Sequence, residues 1–268
     1  MVMRISRIML ISLIIVLGLV ACPRTTIAWS GQTHNWVADK ATAYMPAAWV
    51  TGAFGPYTEA LMNGTRAPDR IYRDFSNHVY DPSSGKGGAP RKVKQWYGWY
   101  VSNLTNGNWS VAMYSAGTLS HYLDDIANPM HTGTSEQEET VHSRYENDVN
   151  EHLNEFTVSV TLELVNDPEA YAITVATFSH QYYDNLVSEY SSSRWTNNVQ
   201  SITQICLNEA VKAVASIWKQ GIVDSGIQIP EFQSINSVFL FTFTIVAAIS
   251  ILRSARPKFS PFKTHSQE

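Results

Sequence analysis

The sequence has little cysteine, with only Cys22 and Cys206 among its 268 residues. Cys22 lies in an N-terminal segment that we expect to be removed, which leaves Cys206 without a partner for an internal disulfide. Alternation of apolar and polar residues, the pattern of half-buried strands, is nearly absent, and no internal repeat is visible between residues 29 and 226. The sequence therefore predicts neither a disulfide-stapled domain nor a β-rich one.

Basic residues are also scarce in the body of the chain. Of the 19 Lys and Arg, three precede residue 29 and four follow residue 233, which leaves 12. Of the 23 Asp and Glu, only Glu268 falls outside these bounds, which leaves 22 and a formal charge near −10. Such a charge opposes binding to a nucleic-acid backbone, which needs clustered Lys and Arg. We therefore expect no nucleic-acid partner, and a body suited to collecting divalent cations.

The N-terminus resembles a secretory signal peptide over residues 1–28. Two arginines precede an apolar run at 8–21, and small residues end the segment at Ala28, so we expect cleavage before Trp29. A second interpretation is open, because the stretch LVAC resembles a lipobox that would make Cys22 a lipidated N-terminus. Either route predicts a secreted or cell-surface protein.

The C-terminus holds a second apolar segment. Residues 237–252 carry no charge, and residues 234–252 are long enough for a transmembrane helix. The basic tail at 253–268 is then expected in the cytoplasm, with the body outside. The linker at 227–233 contains Pro-Glu-Phe, and this order of motif, apolar helix and basic tail resembles an archaeal sorting signal. We therefore expect membrane anchoring, with an archaeosortase-type enzyme as a candidate processing partner.

The segments between these ends have the patterns of helices, so we predict an all-α fold with a single compact multi-helix domain over residues 29–226. Apolar and aromatic residues recur at helical spacing in six segments. Residues 81–90, DPSSGKGGAP, are predicted to form a flexible loop because of their Gly and Pro content. The aromatic side chains are predicted to lie mostly in the core. The predicted helices span 34–45, 92–104, 109–127, 140–165, 168–190 and 196–220.

Two histidine–carboxylate pairs stand in the middle of the chain. His121 and Asp125 lie four residues apart in HYLDDIANPMH, and His142 and Glu146 repeat the spacing in HSRYE. Residues four apart on a helix project from one face, so each pair offers one nitrogen and one oxygen ligand, a set that zinc accepts. His131 follows a helix break at Asn-Pro, where a turn can return it to that face. A lone pair of this kind is usually a surface ion pair, but two pairs with a histidine between them predict a metal site.

These motifs resemble those of the zinc-dependent phospholipase C family. The resemblance includes HYLDDIANPMH and HSRYEND, a tryptophan at the mature start, an early histidine, Ala-Pro-Asp at 67–69 and HVYDP at 78–82. The motifs follow the family's order over about residues 29–220. Fungal and plant single-strand nucleases share this fold and metal arrangement, but their central motifs differ from HSRYE.

The resemblance implies three zinc ions per chain, held in a cleft among the helices. A free α-amine at Trp29, which would be a ligand, requires cleavage after Ala28 and so favours the signal peptide over lipidation at Cys22. The implied ligands are Asp69, His78, His121 and Asp125 for the first ion, His131, His142 and Glu146 for the second, and His34, bridging Asp125 and the amine and carbonyl of Trp29 for the third.

The resemblance also bears on substrate choice. Asp69 would orient or deprotonate the attacking water, or would serve only as a ligand. Choline-accepting members use an acid near the mature N-terminus, where this sequence has Gln32, whereas Phe75 is retained and Arg70 follows Asp69 directly. The loss of an acid and the gain of a guanidinium favour an anionic head group over a quaternary ammonium. The alternative is that Arg70 simply faces solvent.

Three further polar residues have no ligand role in this scheme. A helix turns ~100° per residue, so Asp124 faces away from His121 and is expected to be an outer-sphere or solvent-facing acid. His152 and His180 are expected to be surface or core residues.

The sequence therefore predicts a zinc-dependent phosphodiester hydrolase. The favoured function is a phospholipase C that acts on membrane phospholipid and releases diacylglycerol, or an ether analogue, and a phosphorylated head group. Two alternatives remain open: a single-strand nuclease or 3′-nucleotidase on the same fold, and a non-catalytic zinc-binding surface protein.

Overall fold

The computed structural model describes Trp29 and residues 31–228. The signal peptide at 1–28, the transmembrane helix at 234–252 and the basic tail at 253–268 lie outside the described residues and stay predictions. Of the helices that are described, none combines the length and the apolar character that crossing a membrane requires.

Helices make up most of the described chain, in agreement with the predicted all-α fold. The loop predicted at 81–90 contains a short hairpin, in which β1 (Tyr80–Asp81) pairs antiparallel with β2 (Lys86–Gly87). Single turns of 3₁₀ or π-helix join several of the helices. One α-helix is a single short turn, Ala47–Trp49. The helices of ten or more residues are α1 (Gly31–Thr42), α2 (Thr58–Ala67), α3 (Ala89–Thr105), α4 (Trp109–Asp125), α5 (Glu136–His152), α6 (Pro168–His180), α7 (Tyr183–Ser193) and α8 (Asn197–Ser225).

Helix α8 is the long central element. The hydroxyl of Thr196 caps its first turn by accepting from the N–H of Val199, and Gly226 ends it in a left-handed conformation at φ 64°. Trp218 in its second half is fully buried, and its indole N–H donates to the carbonyl of Ala116 on α4 at 3.0 Å. Tyr100 of α3 donates to the carbonyl of Trp218 itself. Helices α3 and α4 therefore pack on α8 around this one side chain.

Helices α2 and α4 cross at two glycines. A Cβ atom on Gly64 would lie 2.2 Å from the carbonyl oxygen of Tyr114, and one on Gly117 would lie 2.0 Å from that of Leu61. Thr118 also donates to the carbonyl of Gly64 across the crossing. Because the two backbones touch here, the C-terminal half of α4 is held close to the segment that follows α2.

The helix predicted over 140–165 is wrong at both ends. Helix α5 starts earlier because Ser135 caps it, accepting from the N–H of Glu138, and it ends at His152. Residues 157–165 are rich in β-branched side chains, which disfavour helix. Their backbone is bonded instead to other elements: the N–H of Thr157 donates to Gln204, and that of Glu163 donates to the hydroxyl of Ser216.

Two other helix predictions need correction. The segment 168–190 forms two helices, α6 and α7, which are separated at Gln181 and Tyr182. The side chain of Gln181 donates back to the carbonyl of Phe178, in the last turn of α6. Helix α2 was not among the predicted helices, although it leads directly into the Ala-Pro-Asp motif.

Candidate metal centre

Eight of the nine predicted ligands converge into two adjoining clusters. We call the larger one site A and the smaller one site B. In each of three triads, one ligand atom from each residue lies within 4.8 Å of the others, and two of the triads share His121. Site A consists of His34, Asp69, His78, His121 and Asp125. Site B consists of His131, His142 and Glu146.

Site A collects ligands from four parts of the chain. His34 lies in the first turns of α1, and His121 and Asp125 lie four residues apart at the end of α4. Asp69 occupies a π-helical turn, Pro68–Tyr72, that continues α2. His78 directly follows the 3₁₀ turn Phe75–Asn77. The close crossing of α2 and α4 thus brings the segment that carries Asp69 and His78 over the end of α4.

Asp125 faces three of the histidines of site A. One of its oxygens, Oδ2, lies 3.1 Å from Nδ1 of His78 and 3.2 Å from Nε2 of His121. The other, Oδ1, lies 3.6 Å from Nε2 of His34. Oδ1 of Asp69 is 3.6 Å from the same nitrogen of His78 and 3.8 Å from that of His121. The two oxygens of Asp125 therefore face different groups, an arrangement that would suit a carboxylate shared between two cations.

Site B is built from a turn and one helix. The side chain of Asn128 accepts from the N–H of Met130 and so shapes the 3₁₀ turn that presents His131. His142 and Glu146 lie four residues apart on α5. Oε1 of Glu146 is 3.1 Å from Nε2 of His131 and 2.9 Å from Nε2 of His142, and these two nitrogens are 3.1 Å apart. Three potential ligand atoms thus surround one point.

Four of the five histidines are bonded on the side that faces away from the clusters. Each is assigned as an Nδ1–H donor because the partner is a carbonyl or a carboxylate oxygen. Such bonds fix the ring and leave Nε2 with a lone pair that faces inward, the usual arrangement of metal-bound histidine. The pairs are His34 with Asp124, at 2.6 Å, His121 with the carbonyl of Thr65, at 2.7 Å, His131 with the carbonyl of His78, at 3.0 Å, and His142 with Glu138.

Several inward atoms of site A have no hydrogen-bond partner. Nε2 of His34, Oδ1 of Asp69 and both oxygens of Asp125 are buried and unbonded. An unsatisfied buried polar group costs about 1–3 kcal/mol, and more when it is charged. Lone pairs about 3 Å apart also repel each other unless a cation or protons lie between them. A set of imidazole nitrogens and carboxylate oxygens satisfies the ligand preference of Zn²⁺, so the residues fit that ion.

The pKa values of site B show the same excess of negative potential. Burial lowers the pKa of His142, but Glu146 and Glu138 outweigh burial and raise the pKa to about 10. Burial raises the pKa of Glu146, yet His142 and His131 hold it below its usual range. Both shifts favour a positive charge beside an ionised carboxylate, which is the condition that a bound cation meets.

The same balance holds in site A. Burial raises the pKa of Asp125, but the nearby imidazoles of His121, His131 and His78 hold it well below its usual range. Burial lowers the pKa of His78, and Asp125, followed by Asp69, raises it above its usual value. Asp125 is therefore ionised at neutral pH even though it is fully buried.

The remaining predicted residues lie at different places. Trp29 is fully buried, two residues before α1 begins. Gln32 is exposed on α1. Phe75 is partly buried, and its ring centroid lies 5.5 Å from that of His78, in a cleft of about 290 Å³ that opens on site B. Arg70 is exposed and lines a separate groove of about 570 Å³, which shares no lining residue with the cleft.

Three further acidic residues lie around the centre, and two of them were not foreseen. Asp124 is fully buried and bonded to His34, so the solvent-facing alternative is wrong and the outer-sphere role stays a prediction. Glu138, bonded to His142, could have been found from its spacing of four. Asp74 has no such signal: it lies 3.5 Å from Nε2 of His78 and is held by Lys92 and Tyr122.

The two histidines without a ligand role lie outside both clusters. His152 stacks on Trp195 and bonds Glu155. His180 stacks on Tyr183 and bonds the hydroxyl of Ser83 at 3.0 Å. The positions of both histidines agree with the expected surface or core locations.

No family model matches the chain, and no curated protein matches it in sequence. Solved structures do. An alpha toxin from Clostridium absonum is 16% identical with a TM-score of 0.63, and an alpha-toxin from an avian strain of Clostridium perfringens is 14% identical with a TM-score of 0.59. Each match covers 76% of this chain and 65% of the toxin chain. At these identities the likeness shows the fold, and it supports the zinc phospholipase C fold expected from the motifs.

Proposed function

We propose that this chain is a trinuclear zinc phosphodiester hydrolase that acts as a phospholipase C. The observation that carries the proposal is the convergence of eight imidazole and carboxylate side chains whose inward atoms face each other. In site A several of those atoms, including both oxygens of Asp125, are buried without partners. The fold shared with the clostridial toxins and the motif order along the chain both support this assignment.

In this proposal each site has a distinct set of ligands. Site B would bind one ion through His131, His142 and Glu146. Site A would bind two, with Asp125 as the bridge between them, and Trp29 would complete the second of these once its amine is free. Bound zinc would neutralise the phosphate, lower the pKa of a coordinated water to about 7, and stabilise the departing alkoxide.

The side chains around the ions have separate tasks. Asp69 is the most exposed ligand of site A, at 15% of its side chain, so part of this side chain is open to water. It would orient that water or accept its proton, or act only as a ligand. Asp124 and Glu138 would hold the imidazoles of His34 and His142 in the ligating tautomer. Phe75 would provide an apolar surface for the lipid beside His78.

Two charged side chains lead to opposite expectations for the head group. Arg70, which favours an anionic head group, lines the separate groove. Glu138 and Glu139 line the cleft beside Phe75, and Glu139 is exposed there. Turnover of phosphatidylinositol compared with phosphatidylcholine decides between them. A preference for the inositol lipid that disappears in Arg70→Gln supports the anionic head group, and a choline preference that disappears in Glu139→Gln contradicts it.

The proposal also covers the location of the enzyme. It includes secretion, cleavage after Ala28, and a C-terminal helix that is retained or is exchanged for an anchor by an archaeosortase-type enzyme. The catalytic domain would then face the outer leaflet of a membrane. Mass spectrometry of the protein secreted by a suitable host tests the cleavage, and an N-terminus at Cys22 would contradict it.

The activity is tested on the whole processed chain. We expect about three zinc ions per chain by metal analysis, and release of phosphorylated head group from a phospholipid emulsion. A chelator should abolish the release, and Zn²⁺ should restore it. Degradation of single-stranded DNA without lipid turnover would favour the nuclease alternative. Metal content without either activity would favour a non-catalytic zinc-binding protein.

A further inference from the structure

Large apolar side chains gather beside site A on the surface of the protein. Eight such side chains are exposed in the described chain, and four of them lie in this one region. They are Ile71, exposed by 66%, Tyr72 by 38%, Trp99 by 45% and Val111 by 52%. We call these four residues the apolar rim. Exposed apolar side chains that occur singly need no explanation, but a contiguous group indicates a contact surface.

The four members are physically connected. Ile71 and Val111 line the same groove, which lies between α2 and the start of α4. The ring of Tyr72 stacks on Trp96 at 5.6 Å between centroids, and Trp96 meets Trp99 edge to face at 4.4 Å. The hydroxyl of Tyr72 is 2.9 Å from that of Tyr114, another residue of the groove. The rim is therefore held in shape by aromatic contacts beneath it.

Positive charge surrounds the rim. Arg66 and Arg70 line the groove, and Arg73 is exposed at the end of the same π-helical turn. None of these three guanidinium groups pairs with a carboxylate among the residues that the structure describes. Of the two carboxylates nearest in sequence, Asp69 faces site A and Asp74 is paired with Lys92.

This basic region contrasts with the rest of the body. Residues 58–99 contain seven Lys and Arg and four Asp and Glu, a formal charge of +3. The other residues between 29 and 233 contain five Lys and Arg and 18 Asp and Glu, a formal charge of −13. A surface that combines apolar and aromatic side chains with arginines matches a bilayer that carries anionic lipid, whose interior takes the apolar groups and whose head groups attract the arginines.

We propose that the apolar rim and its three arginines dock the protein on an anionic lipid surface. The proposal rests on the proposed function only for its purpose, which is to bring lipid to the metal centre. Asp69, a ligand of site A, belongs to the same π-helical turn as Arg70 and Ile71. Docking through this turn would therefore place the metal centre at the edge of the contact, near the phosphodiester plane.

The test uses the full chain, with an environment-sensitive fluorophore attached to a cysteine at position 111. Cys22→Ser removes one native thiol, and Cys206 is fully buried and so protected from labelling. The matched control is Val223→Cys, because Val223 is an equally exposed helical valine, at 63%, outside the rim. Each labelled protein is added to vesicles of phosphatidylcholine with or without phosphatidylglycerol, and a second set of vesicles contains lipids with quenchers at membrane depth.

We expect the label at Val111→Cys to shift to the blue and to be quenched on vesicles with phosphatidylglycerol, while the label at Val223→Cys is not. Because the readout is local, a terminal anchor that inserts by itself does not imitate it. Arg73→Gln should weaken the affinity for anionic vesicles about fivefold, the effect of one basic residue near a charged surface. Lys219→Gln, at an exposed lysine outside the basic region, should leave it unchanged.

Absence of quenching at position 111, or equal quenching at 111 and 223, would overturn the docking surface, and a protein partner would then be the better occupant. The measurement does not depend on hydrolysis. Insertion of the rim by a chain without phosphodiesterase activity would overturn the proposed function and support the docking surface. Hydrolysis without insertion would do the reverse.

Discussion

Site A and site B use the same kinds of ligand but are assembled differently. Site A joins α1, α4 and the segment after α2, and its partners are up to 91 residues apart in the chain, as with His34 and Asp125. Site B joins one short turn to one helix, and its members span residues 131–146. Site A therefore depends on tertiary packing, whereas site B depends mostly on local structure.

The bonding of the inward atoms differs in the same way. In site B, Oε1 of Glu146 lies within hydrogen-bond distance of both imidazoles, so a protonated histidine can hold the cluster together. In site A, the oxygens of Asp125 and Nε2 of His34 are unbonded. Protons can thus substitute for a cation in site B more readily than in site A. Site A should therefore depend more than site B on bound ions for its stability.

The largest expected effect follows from removing the bridge. If site A holds two ions as proposed, Asp125→Asn takes a negative charge and a shared ligand from both. Two of the three proposed ions should then be lost, and hydrolysis should fall by more than about 100-fold, beyond the cost of an outer-sphere change. Glu146→Gln should remove only the ion of site B. Metal analysis and turnover of the processed chain measure both. Equal metal loss in the two variants would show that the sites are not separate.

A smaller effect is expected from the residues that hold the imidazoles. Asp124→Asn should weaken metal binding in site A, and Glu138→Gln should weaken it in site B, each by about 10–100-fold. The reason is that each carboxylate fixes a ring, that of His34 or of His142. Zinc titrations of the two variants show at which site the zinc affinity falls. The division into two sites fails if Asp124→Asn lowers affinity at site B as strongly as at site A.

The same contrast explains what could be predicted from the sequence. Pairs four residues apart, such as His121 with Asp125 and His142 with Glu146, are visible because helix geometry is local. The bonds of His121 to the carbonyl of Thr65 and of His34 to Asp124 are not visible in the sequence, because these partners meet only when α1, α2 and α4 pack. Sequence patterns therefore could not predict the hydrogen bonds that hold the histidines of site A.

Helix boundaries follow a similar rule. Helix α4 was predicted to within two residues, since an Asn-Pro dipeptide follows its end. The end of α5 was missed because residues after His152 keep an apolar stripe while their backbone bonds to Gln204 and Ser216. Helix α2 was missed because Gly64 weakens its local signal, and that glycine is explained only by the crossing with α4.

The smallest effect concerns this crossing. Gly117→Ala puts a methyl group 2.0 Å from the carbonyl oxygen of Leu61, so α2 and α4 must separate. Overpacking of this kind costs about 1–3 kcal/mol in the free energy of unfolding. Because α4 carries His121 and Asp125, and α2 leads to Asp69, zinc affinity at site A should fall while that at site B is unchanged. Thermal unfolding and zinc titration measure the two effects.

The matched control is Gly98→Ala on α3. A Cβ atom there meets nothing within 4 Å, so the substitution adds helix propensity without a clash. It should stabilise the protein by about 0.5–1 kcal/mol and leave both sites unchanged. If Gly117→Ala lowers stability but zinc affinity falls equally at both sites, then site B also relies on the crossing, and the contrast between a tertiary site and a local one is wrong. If site A alone weakens, the geometry of its ligands depends on how closely the backbones of α2 and α4 approach each other at Gly117. This glycine precedes His121 by about 6 Å along α4, roughly one helical turn.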